Sequence, residues 1–101
     1  MELKTLYYFV TIAKEESITR AANTLHITQP TLSRQIKDLE SELGVKLFKR
    51  SNHSIYITDE GLLLKKRAEE LLEMSRQIQD EFKFIDKNIE GNVYIGCGET
   101  K

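Results

Sequence analysis

The chain has 101 residues, 40% of them apolar and 31% charged, with a formal net charge of −1. That suits one globular domain with a modest core and an appendage, and it excludes an intrinsically disordered chain. No apolar run is as long as a membrane span, and MELKTLYYF lacks a signal peptide's basic start and small-residue cleavage site, so a cytoplasmic protein without membrane contact is expected. Cys97 is the single cysteine, and His26 and His53 lie far apart, so neither an internal disulfide nor a metal-ligand spacing exists; no metal or cofactor is expected.

Leu3, Leu6, Tyr7, Val10 and Ala13 mark a first helix whose apolar side can cover its neighbours, with Phe9 in the same core. A core or interface role is expected for Tyr7 and Tyr8 rather than base stacking. Ser17 can cap a second helix beginning at Ile18, in which the small pair Ala21 and Ala22 lets another helix pack closely. His26 and Ile27 break it. Thr28 can cap a third helix with Pro30 in its first turn, where a missing N–H costs nothing, and Gly44 supplies the left-handed stop. At about 100° per residue, Leu32, Ile36, Leu39 and Leu43 share one stripe, assigned to the core. Opposite lie Pro30, Arg34, Lys37 and Ser41, flanked by Thr31 and Ser33, with Gln29 at the start. Hydroxyls, an amide and two cations suit phosphate oxygens and base edges in a DNA major groove. An ordinary solvated face is the plainer reading of any one such helix. The small-residue pair, short turn and early proline together favour a DNA-facing helix-turn-helix.

After Gly44 the periodicity changes. Val45–Phe48 and Ser54–Thr58 read as two strands around a basic turn, Lys49 to His53, forming a hairpin wing in which Ile55 and Ile57 alternate with Tyr56. Thr58 or Asp59 can cap a last, long helix that runs without proline to about Ile89. Along it Leu64, Ala68, Leu71, Ser75, Ile78, Phe82, Ile85 and Ile89 recur in alternating steps of four and three, a heptad seam. Such a stripe, on a helix too long to fold back on a small domain, calls for a partner helix. The tail should hold one strand, Asn92 to Ile95. Gly96-Cys97-Gly98 lacks the third glycine and the following helix of a dinucleotide-binding turn.

The segment from Ser17 to Arg50 resembles the LysR-type transcriptional regulators. The matching residues are Ala21, Ala22, Leu25, Ile27, Thr28, Gln29, Pro30, Leu32, Ser33, Ile36, Leu39, Glu40, Leu43, Gly44, Leu47, Phe48 and Arg50. The likeness extends over essentially the whole chain. It implies a mainly α winged helix-turn-helix, three helices and a short β-hairpin wing, followed by a long dimerisation helix. Residues 1–58 would be the DNA-binding domain (helix-turn-helix 18–37), 59–89 the linker helix, and 90–101 the start of an effector-binding domain lying outside this chain. It also implies a role in double-stranded DNA binding for Ser17, Thr19, Gln29, Pro30, Thr31, Ser33, Arg34, Lys37 and Arg50. Gln29, Thr31, Ser33 and Arg34 would meet base edges or adjacent phosphates, Lys37 and Arg50 phosphates or the minor groove, and Ser17 and Thr19 the backbone. The expected partners are DNA and a second copy of the chain, in dimers able to pair into tetramers in the full-length protein. A small-molecule inducer would act only through the C-terminal domain.

The net charge of −1 speaks against nucleic-acid binding, and its distribution answers that: residues 1–58 carry +2 and residues 59–101 carry −3. Binding then depends on how Arg34, Lys37, Lys49 and Arg50 are placed. Two other readings fit the sequence less well. A pure dimerisation module would favour acids or apolar residues around Arg34, which the sequence does not have. An enzyme would need a nucleophile with its base, paired carboxylates or a metal cluster, and none is found.

Overall fold

The structure is a computed structural model describing residues 1–51 and 54–89, with side chains as far as Ile85. Four helices and one hairpin follow in order: α1 (Leu3–Glu15), α2 (Ile18–Leu25), α3 (Gln29–Leu43), β1 (Phe48–Ser51), β2 (Ser54–Ile57) and α4 (Asp59–Ile89). The expected strand at 92–95, Cys97 and His53 lie outside the described residues.

The helix ends sit where local chemistry sets them. Ser17 Oγ accepts the N–H of Arg20 at 3.1 Å and starts α2. Thr28 Oγ1 accepts the N–H of Thr31 at 3.3 Å and starts α3, with Pro30 in the first turn. Gly44 ends α3 at φ 73°, its N–H donating to the Glu40 carbonyl at 2.8 Å. The two turns before α3 are tighter than the sequence suggests, because Glu16 (φ 55°) and His26 (φ 60°) take left-handed conformations that glycine would adopt at lower cost.

Leu6, Phe9 and Ile12 of α1, Ala21 and Ala22 of α2, Leu32, Ile36 and Leu39 of α3, and Leu47 form the core. The buried side of α1 is turned towards Phe9 and Ile12, so Leu3 and Tyr7, expected inside, stand half exposed. Leu43, expected in the same stripe as Leu39, is 39% exposed in the last turn of α3, where that core ends. The Phe9 ring meets Phe48 at 5.3 Å between centroids, tying the hairpin to the first helix.

The hairpin pairs Phe48 with Ile57, Lys49 with Tyr56, Arg50 with Ile55 and Ser51 with Ser54, antiparallel. Its first strand therefore begins where the sequence reading ended it, and Lys49 to Ser51 are strand rather than turn. Val45–Leu47 are withheld from the ladder by other bonds. The Leu47 N–H donates to Glu40 Oε2 at 2.7 Å, the Thr58 N–H to the Leu47 carbonyl at 3.0 Å, and Thr58 Oγ1 to the Lys46 carbonyl at 2.6 Å. Thr58, rather than Asp59, also caps α4 by accepting the Gly61 N–H at 2.9 Å. A Cβ at position 61 would lie 2.4 Å from the Leu47 carbonyl oxygen and 2.6 Å from Ile57 Cγ1, so only glycine lets α4 leave the body this closely.

α4 changes role along its length. Ala68 is fully buried against the body, and Leu64 and Leu72 pack beside it. Leu64 and Ala68, expected in a seam between chains, thus face their own domain: the heptad step fixes a stripe but not what covers it. Beyond them Leu71, Met74, Ile78, Phe82 and Ile85 stand 45–61% exposed, with Ser75 half buried. The same helix carries the pairs Lys65–Glu69 and Arg67–Glu70, and Arg76 bridging Glu73 and Asp80. The guanidinium of Arg76 donates to Glu73 and holds its carboxyl below the usual value. These pairs are exposed and stabilise the helix only weakly. Among the described residues no helix is long and apolar enough to cross a membrane.

Candidate nucleic-acid interface

Capping by Thr28 and burial of Leu32, Ile36 and Leu39 fix the rotation of α3 about its axis. Gln29, Pro30, Arg34 and Lys37 consequently face outward, with Thr31 and Ser33 half buried at the edges. Thr19 Oγ1, at the start of α2, lies 3.3 Å from Gln29 Oε1 and brings the two helix starts together. Ser17 is half buried, and its hydroxyl oxygen is engaged in capping. The Thr31 hydroxyl accepts a bond from Thr28 Oγ1 at 2.8 Å. Both residues have local structural work whatever else they contact.

The wing completes the surface. Arg50 borders two adjoining grooves, one shared with Ser17, Thr19 and Gln29, the other with Ser33, Lys37, Lys46 and Lys49. Six of the nine expected contact residues, Ser17, Thr19, Gln29, Ser33, Lys37 and Arg50, thereby line these grooves around α3 and β1, with Pro30 and Thr31 on the same helix turn as Gln29 and Arg34 one turn further along. Lys49, whose charge the sequence already points to, and Lys46, which no sequence signal marks, join this rim. Pairing of Lys49 with Tyr56 places the one, and the bond from Thr58 Oγ1 to the Lys46 carbonyl places the other. Glu40 also lines the second groove, the one acid among its four cations.

Charge is arranged unevenly between the two parts of the chain. Among the described residues Arg34, Lys37, Lys46, Lys49 and Arg50 form no ion pair, whereas Lys65, Arg67 and Arg76 of α4 are each matched to acids. Unmatched cations bordering a helix whose exposed edge carries hydroxyls and an amide form a surface complementary to a polyanion. Also among the described residues, no three His, Cys, Asp or Glu side chains gather as metal ligands.

Residues 3–62 match the family model for bacterial regulatory helix-turn-helix proteins of the lysR family. The chain belongs to the LysR family. Over 97 residues it is 42% identical to the HTH-type transcriptional regulator BsdA of Bacillus subtilis, covering 95% of this chain and 33% of that protein. It is 41% identical over 96 residues to the HTH-type transcriptional regulator BudR of Klebsiella aerogenes, 67% of whose length it spans. This LysR-family chain thus corresponds to about a third of a regulator such as BsdA. Its structure is similar to that of the BenM DNA-binding domain solved with catB site 1 DNA, at a TM-score of 0.82 and 43% identity over 85% of this chain and 96% of that one. The CbnR DNA-binding domain, also solved with DNA, gives a TM-score of 0.79 at 34% identity. These likenesses include the winged helix-turn-helix and the long helix after it.

Proposed function

We propose that the chain is a sequence-specific double-stranded DNA reader that works as a homodimer on an inverted-repeat operator, in the cytoplasm and without catalysis. The observation that carries this is the unpaired cationic rim of α3 and the wing, Arg34, Lys37, Lys49 and Arg50, flanking the exposed Gln29 and Pro30 and the half-buried Thr31. The structurally similar BenM and CbnR domains were solved with DNA, which supports the reading. α3 lies in the major groove, where Gln29, Ser33 and Arg34 read base edges, Thr31 contacts a base or the phosphate beside it, and Pro30 offers its ring to a thymine methyl. Lys37 and Arg50 hold phosphates or the minor groove, and Ser17 and Thr19 meet the backbone at the start of α2.

Residues 1–58 form the reading domain and 59–89 the dimerising helix. The exposed apolar side of Leu71, Met74, Ile78, Phe82 and Ile85 is too extensive to stay in water and suits a second copy of itself. Residues 90–101 lead into an effector domain, through which alone an inducer acts and dimers pair into tetramers. The test is selection of bound duplexes from a random DNA pool, with sedimentation of the free chain. An inverted repeat recovered by a dimer supports the proposal; recovery of no preferred sequence, or a monomer at high micromolar concentration, overturns it.

A further inference from the structure

Glu40 presents an electrostatic puzzle. It lies on α3 and lines the groove that also holds Lys37, Lys46, Lys49 and Arg50. A carboxylate here repels an approaching phosphate, so on charge alone its loss should improve DNA binding. Its hydrogen bonds point to a different role. Oε2 accepts the N–H of Leu47 at 2.7 Å and the N–H of Phe48 at 3.4 Å, and the backbone carbonyl of the same residue accepts the N–H groups of Gly44 at 2.8 Å and Val45 at 3.2 Å. Four backbone donors between Gly44 and Phe48 thus converge on one residue.

The wing root needs such an anchor. Leu47 is fully buried and precedes the first ladder pair, Phe48 with Ile57, so its N–H has no partner within the hairpin. A buried amide without an acceptor is costly, and Glu40 supplies the acceptor from the recognition helix itself. Arg50 stands two residues beyond Phe48, about 7 Å along the strand. A small rotation at the root therefore swings Arg50 across the groove.

We infer that Glu40 is the positioning residue of the wing: its carboxylate locks the root of β1 to α3 and so places Arg50 beside the reading face. This rests on the DNA-binding reading proposed above. The charge account and the positioning account predict opposite signs. If Glu40 acts only through its charge, Glu40→Ala and Glu40→Gln both bind DNA more tightly. If it positions the wing, Glu40→Ala binds more weakly, while Glu40→Gln, whose amide oxygen can accept the same N–H groups, binds at least as well as the wild type.

The experiment is a double-mutant cycle with Arg50→Ala, titrating the full chain with the duplex recovered from the random pool. In the wild-type background Arg50→Ala should lower affinity about tenfold, as loss of a charge-assisted contact does. In the Glu40→Ala background it should lower it less than twofold, because the wing is already misplaced. Equal losses in both backgrounds, or tighter binding by Glu40→Ala, would overturn the inference. Amide hydrogen exchange without DNA gives a second reading: Glu40→Ala should speed exchange at Leu47 and Phe48 while Leu6 and Phe9 stay protected. Unchanged protection at Leu47 refutes the anchor even if no DNA sequence is recovered, so the two readings can fail separately. Should Glu40→Ala not fold, Glu40→Asp, one methylene shorter, carries the same cycle and the same criteria.

Discussion

The body of the molecule and the outer half of α4 are built from the same kinds of residue in opposite situations. In the body, Leu6, Phe9, Ile12, Leu32, Leu39 and Leu47 are removed from water within one chain. In α4 beyond Leu71, leucine, methionine, isoleucine and phenylalanine side chains recur with helical spacing yet keep about half their surface in water. Periodicity sets which side of a helix is apolar. Whether that side is satisfied depends on what stands opposite it, and here the body ends near Leu72.

Several substitutions would break or sharpen this contrast. Phe9→Ala should cost the most, about 3–5 kcal/mol of unfolding free energy in urea, since it empties a fully enclosed site and removes the ring against Phe48. A loss below 1 kcal/mol would mean that the body is loosely packed. Leu71→Lys combined with Ile78→Lys should leave the body's unfolding within about 0.5 kcal/mol of wild type, since both sites are exposed in the single chain, yet convert sedimenting dimers to monomers. Parallel loss of body stability would show that the outer half of α4 supports its own domain.

Arg34→Ala tests the reading face. It should weaken binding to the selected duplex by about 1–3 kcal/mol and relax preference at one base position. Equal weakening on every sequence would make Arg34 a phosphate contact. Gly61→Ala probes the joint between the two regions and should destabilise by about 1–3 kcal/mol, the range for an overpacked contact, because the new methyl meets a backbone carbonyl that cannot swing aside. The smallest effect belongs to His26→Gly, which should raise stability by about 0.5–1 kcal/mol by relieving a left-handed backbone at an exposed turn. A lower thermal midpoint in that variant would reveal an unrecognised role for the imidazole.

Most of the helical frame was legible in the sequence because caps are local. Ser17, Thr28 and Gly44 each act on atoms within four residues, and a reader of the chain can place them without knowing the fold. What escaped depends on distant partners. The start of β1 is decided by Glu40 and Thr58, seven and eleven residues from Leu47, so the strand-like composition of Val45–Phe48 misleads. Ala68 fits a heptad seam as well as it fits its own core, and only the approach of α1 decides between them. Where the nine proposed contact residues sit follows from the same local signals, since eight of them lie on two adjacent helices or their caps. The place of Lys49 depends on the hairpin register, and those of Lys46 and Glu40 on the bonds at the wing root, all made with partners distant in sequence.

Gly61 also makes α4 a protractor. Because the helix leaves the body through a joint with no slack, every residue between that joint and Leu71 counts as angle: inserting one would turn the outer apolar side by about 100° and advance it by about 1.5 Å. In a dimer held by that side, the change would re-aim both reading helices relative to each other. An insertion of seven would restore the bearing to within about 20° while adding roughly 10 Å of reach. On the proposed two-fold arrangement, half-site spacing would then be set by residue count in a stretch outside the proposed reading face.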